Sequence, residues 1–146
     1  MRALRVKCSP KPLLTVERSR QWKQRMVYIL AANKPYKYPA RRKSRIIYIG
    51  TTGAGARRPA TSAMDKASEA FELRGVKTIE VHIVTCGGRR AVQTWKHLES
   101  SLLAVFKDRY YALPKYNKKK GSARFSEDVT LFRTEALQRI LCKFGE

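Results

Sequence analysis

The sequence predicts an α+β fold in one domain, built from three short strands and three helices. Two patterns carry that expectation. Residues 26–30, 45–50 and 78–86 are rich in β-branched and aromatic residues or alternate apolar with polar at a period of two. Three longer segments repeat their apolar residues at helical spacing. A chain of 146 residues that is 43% hydrophobic has single-domain length and can bury a core.

Residues 1–25 form a basic N-terminal extension. Leu4, Val6 and Cys8 alternate as an edge strand would, and residues 13–25 have some helical character. The first strand, 26–30, leads into a long connection, 31–44, whose Pro35 and Pro39 argue against regular structure. Its tyrosines and its Arg41, Arg42 and Lys43 suit contact with bases and phosphates. The second strand, 45–50, follows in sequence and pairs with the first most simply in an antiparallel sense. A Gly/Ala turn leads to a helix over 57–71, with Pro59 in its first turn, where proline costs little, and Gly75 past its end. Gly87 and Gly88 separate the third strand from an amphipathic helix over 91–106. Residues 110–124 are a loop holding Pro114, Asn117 and Lys118, Lys119 and Lys120. Ser126 can cap a last helix with apolar positions Val129, Phe132, Leu137, Ile140, Leu141 and Phe144.

Net charge is +21, and it is unevenly placed. Residues 1–45 hold fourteen Lys and Arg against the single acid Glu17, leaving +8 for the rest of the chain. Solubility needs far less, so the expected partner is a polyanion, with nucleic acid first and an anionic membrane surface second. No apolar run has the length of a membrane span, and no apolar signal segment follows the basic N-terminus, so a soluble cytoplasmic protein is expected. Cys8, Cys86 and Cys142 are far apart and odd in number, which suits buried reduced thiols better than a disulfide or zinc framework.

Glu99 is the most informative residue. Val92, Trp95, Leu102, Leu103 and Phe106 make one helical stripe, and Glu99 falls within it. A carboxylate there needs a cation, a hydrogen-bond network or a raised pKa. A metal ion or an arginine satisfies it, and so does a helix turned to put Glu99 at its edge. Tyr28 and Tyr48 stand mid-strand, where alternation puts Tyr48 on the side of Ile46 and Gly50. Gly50 leaves room for close approach. Arg57 and Arg58 open a helix against its dipole, so they face an anion such as phosphate or Glu99, or else solvent. His82 and His97 lack metal-ligand spacing and read as structural or surface residues. The chain has no phosphate-binding Gly-Lys loop, nucleophile elbow or dinucleotide fingerprint.

In combination these pieces resemble the GIY-YIG nuclease family. Val27-Tyr28-Ile29 stands for the first half of its name and Tyr48-Ile49-Gly50 for the second. Arg58 follows the glycine by eight residues, Glu99 lies in a later helix, and Asn117 matches a late ordering asparagine. The resemblance covers residues 26–117. Ser62 stands where His or Tyr is common, and Thr51 where Lys is common. The resemblance implies a core of residues 26–117 with a small three-stranded antiparallel sheet flanked by helices. Residues 118–146 would then be a basic loop and a helix packed on that core. It further implies DNA endonuclease activity through Tyr28, Tyr48, Arg58, Glu99 and Asn117, with Mg²⁺ or Mn²⁺ on Glu99. Arg41, Arg42, Lys43, Arg45, Arg57, Lys118, Lys119 and Lys120 would contact double-stranded or branched DNA, in a monomer or homodimer. The alternative from another class is a nucleic-acid-binding protein on a degenerate nuclease scaffold.

Overall fold

The computed structural model describes residues 5–20, 23–118 and 131–146. It is α+β: β1 (Met26–Lys37), β2 (Lys43–Thr52), α1 (Arg57–Ala70), β3 (Ile79–Val84), α2 (Thr94–Tyr110) and α3 (Thr134–Gly145). The three strands form one antiparallel sheet in the order β2-β1-β3, so β1 is central. Helices cover both of its faces. Val27, Ile29, Ile46 and Ile49 pack with Leu98, Leu102, Leu103 and Phe106 of α2 and with Leu137 and Leu141 of α3. On the opposite face Tyr28, Leu30, Ala32 and Ile47 pack with Ala70 and, partly buried, Ala63 of α1.

Several expectations are corrected. β1 does not stop at residue 30 but runs to Lys37, through Pro35. A proline is tolerated because β3 pairs only as far as Ala32 and the β1–β2 register shifts between Ala31 and Tyr36. Pro35 therefore sits in an irregularity, where no ladder hydrogen bond is required of it. A second shift, between Leu30 and Ala31, places Ile47 outside the regular pairing. The extra residue breaks strict alternation: Ile46 packs with Ile49 on one face, whereas Ile47 and Tyr48 both pack on the other. Tyr48 is thus not on the side of Ile46. Residues 5–20 contain neither strand nor helix, and Val6, Leu13 and Val16 are exposed, so nothing packs on their apolar side chains. Leu4, Ser126 and Val129 lie outside the described residues. The last helix begins at Thr134, with Arg133 at its N-cap. Cys8 is exposed rather than buried, while Cys86 and Cys142 are half-buried free thiols. Among the described residues no helix is long and apolar enough to cross a membrane.

The turn between β1 and β2 is tied to the core. Tyr38 is buried, its ring edge-on to Phe106 at 5.2 Å between centroids. Its hydroxyl donates to the Ile46 carbonyl at 2.7 Å and accepts from the Lys115 amide at 3.1 Å. Desolvation holds that hydroxyl protonated well above the ordinary tyrosine range. The Ala40 amide donates to the Tyr110 carbonyl at 3.2 Å, pinning the turn to the C-terminal end of α2. Tyr38→Phe leaves a buried carbonyl and an amide without their shared partner. It should cost about 1–3 kcal/mol in denaturant unfolding, whereas a change below a few tenths of a kcal/mol would mean water takes over both contacts.

Candidate functional site

β2 is an edge strand, yet its outer edge is covered. The Tyr116 amide donates to the Ile47 carbonyl at 2.9 Å. Asn117 then uses both ends of its amide on Ile49: Oδ1 accepts from the Ile49 N–H at 2.8 Å and Nδ2 donates to its carbonyl at 2.7 Å. Asn117 thereby acts as one more rung of the ladder. It fixes the backbone between Tyr48 and Gly50.

Tyr28 lies directly across from Gly50 in the β1–β2 register. A Cβ on Gly50 would sit 2.6 Å from Tyr28 Cζ and 2.7 Å from Tyr48 Cε1. Only glycine lets the two rings occupy that side of the sheet together, with centroids 6.0 Å apart. The two tyrosines differ in environment. Tyr28 is fully buried, and its hydroxyl shares a 2.8 Å hydrogen bond with Ser62 of α1. Tyr48 is half-buried, with Lys66 Nζ 5.7 Å from its ring centroid. Burial pushes the Tyr48 hydroxyl up to about 12, the Tyr28 hydroxyl and Glu99 add to that, and Arg58 opposes it.

Glu99 is half-buried on α2. Desolvation pushes its carboxyl up to about 7, outweighing Arg58 first and Lys96 second, both of which act to lower it. The site thus holds less positive charge than a fully ionised Glu99 needs. The α2 stripe is rotated from the one expected. Leu98, Leu102, Leu103, Phe106 and Tyr110 are buried, as are His97 and Ser100, while Trp95 and Glu99 border that face. Trp95, one turn before Glu99, packs beside Gly53 and under the Arg25 guanidinium at 4.8 Å.

Four different elements therefore bring Tyr28, Tyr48, Arg58 and Glu99 into one electrostatic neighbourhood, and Asn117 braces it from outside the sheet. Lys66 beside Tyr48 and Ser62 as the partner of Tyr28 stand outside the motif. The sequence signal for both is spacing: Arg58, Ser62 and Lys66 recur at four-residue spacing, which aligns them on one side of α1. The basic residues divide. Arg41, Arg42, Lys43, Arg57 and Lys118 are exposed. Arg45 instead spends its guanidinium on the Ala32 carbonyl at 2.8 Å and on Glu80 at 3.0 Å. Lys119 and Lys120 lie outside the described residues. His82 pairs with Glu80 at 3.2 Å and stacks on Phe144, away from this cluster. Among the described residues no three His, Cys, Asp or Glu side chains gather as a metal centre.

The chain matches no known protein family, no curated protein and no solved structure. Function is therefore read from the chemistry of the site.

Glu99 gives a pH signature. Its folded-state pKa of about 7 lies above the ordinary 4.5. Below pH 4.5 the carboxyl is protonated in both folded and unfolded chains and contributes nothing. Between pH 4.5 and 7 the unfolded chain gives up a proton that the folded chain keeps, so stability falls as pH rises. In EDTA, wild-type stability relative to Glu99→Gln should drop between pH 5 and 8 by up to about 3 kcal/mol, less what water restores to the exposed part of the group. Parallel stability curves for the two proteins would show that burial of Glu99 is fully compensated.

Proposed function

We propose that this chain is a metal-dependent DNA endonuclease of the GIY-YIG type. One observation carries the reading: Tyr28 and Tyr48, from the two halves of the motif, meet over Gly50 with ring centroids 6.0 Å apart, and Glu99 and Arg58 share the electrostatics of the half-buried Tyr48 hydroxyl. The net charge of +21 and the exposed arginines beside this cluster supply attraction for a polyanion.

The residues divide the work by environment. Tyr48 meets solvent and would orient the attacking water and receive its proton, which requires its raised pKa to come down when substrate and cation are present. Tyr28 is buried and tied to Ser62, so its part is to hold Tyr48 in place. Arg58 is exposed at the first turn of α1 and would donate hydrogen bonds to the charge that grows on the phosphate. Glu99 would hold a divalent cation. Arg58 and Lys96 compensate its desolvated carboxyl only in part, and a single protein carboxylate would suit Mg²⁺ or Mn²⁺. When bound, such a cation polarises the phosphate and stabilises the leaving oxygen.

A second reading is a DNA-binding protein that does not hydrolyse. It is favoured by two hydroxyls spent on internal bonds, Ser62 with Tyr28 and Thr51 with the Met26 carbonyl at 3.0 Å. Supercoiled plasmid separates the two. Wild type with Mg²⁺ should nick it and EDTA should stop the reaction. Arg58→Ala should slow cleavage by about 10²-fold or more while duplex affinity stays within about threefold, since one cation of many is lost. Binding without any nicking by the wild type in Mg²⁺ or Mn²⁺ would select the second reading. A collapse of binding in Arg58→Ala would make Arg58 an anchor rather than a transition-state donor.

A further inference from the structure

The longest strand outruns its sheet. β3 leaves β1 after Ala32, but β1 continues to Lys37 and returns as β2 from Lys43. Residues 33–43 therefore form a two-stranded hairpin beyond the third strand, backed by residues 74–78 at Asn33 and Lys34 and by the end of α2 at Tyr38 and Ala40, that carries Lys34, Lys37, Arg41, Arg42 and Lys43 and no acid. All five are exposed. The hairpin is stiff. Tyr38 anchors its turn in the core, the Tyr38 amide bonds to the Arg42 carbonyl at 2.8 Å, and Ala40 bonds to the end of α2. Lys34 is braced on the Arg74 carbonyl at 3.1 Å. Cations on a rigid support lose little freedom on binding.

Position adds direction. Tyr28 and Lys37 are nine residues apart on one strand, about 25–30 Å at the usual rise once the bulge is allowed for. Along the covered edge of β2 between them stands Lys115, with the exposed Lys118 just past Asn117, while α1 and its end set Asp65 near Lys118 and Glu69 and Glu72 near Tyr116. A polyanion that reaches both ends is thus favoured along the β2 edge and repelled from the end of α1. A two-stranded ribbon also has the width that the major groove of B-form DNA accepts.

We propose that hairpin 33–43 is a groove-binding arm that grips duplex DNA about seven to nine base pairs from the phosphate bound at Arg58. The spacing rests on the nuclease reading, whereas the grip itself does not. The arm variant combines Lys37→Gln, Arg41→Gly, Arg42→Gln and Lys43→Gln. Glycine suits position 41, whose φ is +58°. A comparison variant replaces Lys7, Lys11, Arg18 and Arg20 by Gln. Both should melt like the wild type, because all eight side chains are exposed.

Salt-dependent binding to a 20-base-pair DNA duplex and to an RNA duplex of equal length reads the grip. The arm variant should lose about three units of log K against log salt slope on DNA and little on RNA, whose deep, narrow major groove excludes a ribbon. The comparison variant should lose similarly on both. An unchanged DNA slope, or equal losses on DNA and RNA in the arm variant, would overturn the groove assignment. Cleavage of end-labelled duplexes shortened from one side reads the spacing. Wild-type cleavage should fall sharply once fewer than about seven base pairs remain on the arm's side, and the arm variant should show no such step. A step absent from both proteins would overturn the spacing. A wild type that binds but never cleaves would count against the nuclease reading alone, with the DNA-specific slope still deciding the arm.

Discussion

Gly50 has no room for a side chain, and the site depends on that. The β1–β2 register sets Tyr28 opposite it, and the rings of Tyr28 and Tyr48 close over the gap a methyl group would fill. Holding that arrangement takes bonds from three directions. Asn117 clamps Ile49 on the outer edge, Ser62 holds the Tyr28 hydroxyl from α1, and the Thr51 hydroxyl ties β2 to the Met26 carbonyl. None of these contacts is local in sequence, so the pair of tyrosines is positioned by the fold as a whole.

Burial sets the electrostatic character of this centre more than charge pairing does. In a chain of +21, a carboxyl beside Arg58 would be expected to ionise readily. Desolvation on α2 wins instead and raises Glu99, and burial raises Tyr48 in the same way. Tyr48 is thereby held protonated at neutral pH, and Glu99 ionises fully only above about pH 7. A dication and a phosphate arriving together would change that balance, and a surface of scattered lysines would not.

The layout was largely legible from residue patterns. β-Branched alternation found the three strands, and helical spacing found the helices, because those periodicities record which faces are buried. What could not be read were the places where the backbone departs from its period. Pro35 argued for a loop, yet a shift in register removes the hydrogen bond that proline could not have made. The irregularity at Ile47 moved Tyr48 to the face opposite Ile46, a reversal no alternation rule foresees. The apolar residues of 5–20 suggested elements there, but periodicity without a partner surface forms none. Within the candidate site, Tyr28, Tyr48, Arg58, Glu99 and Asn117 can be named from the sequence, but not all of their neighbours can. Ser62 as the partner of Tyr28 and Lys66 over Tyr48 cannot, because each contact joins α1 to the sheet across a distant stretch of chain.

The account turns on whether Glu99 holds a divalent cation, and thermal unfolding with and without Mg²⁺ at pH 8 tests this most directly. Ligand that binds the folded chain alone must raise its melting temperature. Millimolar Mg²⁺ should raise that of the wild type by several degrees and leave Glu99→Gln, which keeps the shape without the charge, nearly unmoved. The variant should be at least as stable as the wild type in EDTA. Equal responses to Mg²⁺, or a wild type indifferent to it beside a variant destabilised by about 3–5 kcal/mol in EDTA, would contradict the account. The second of those results would make Glu99 the buried partner of Arg58.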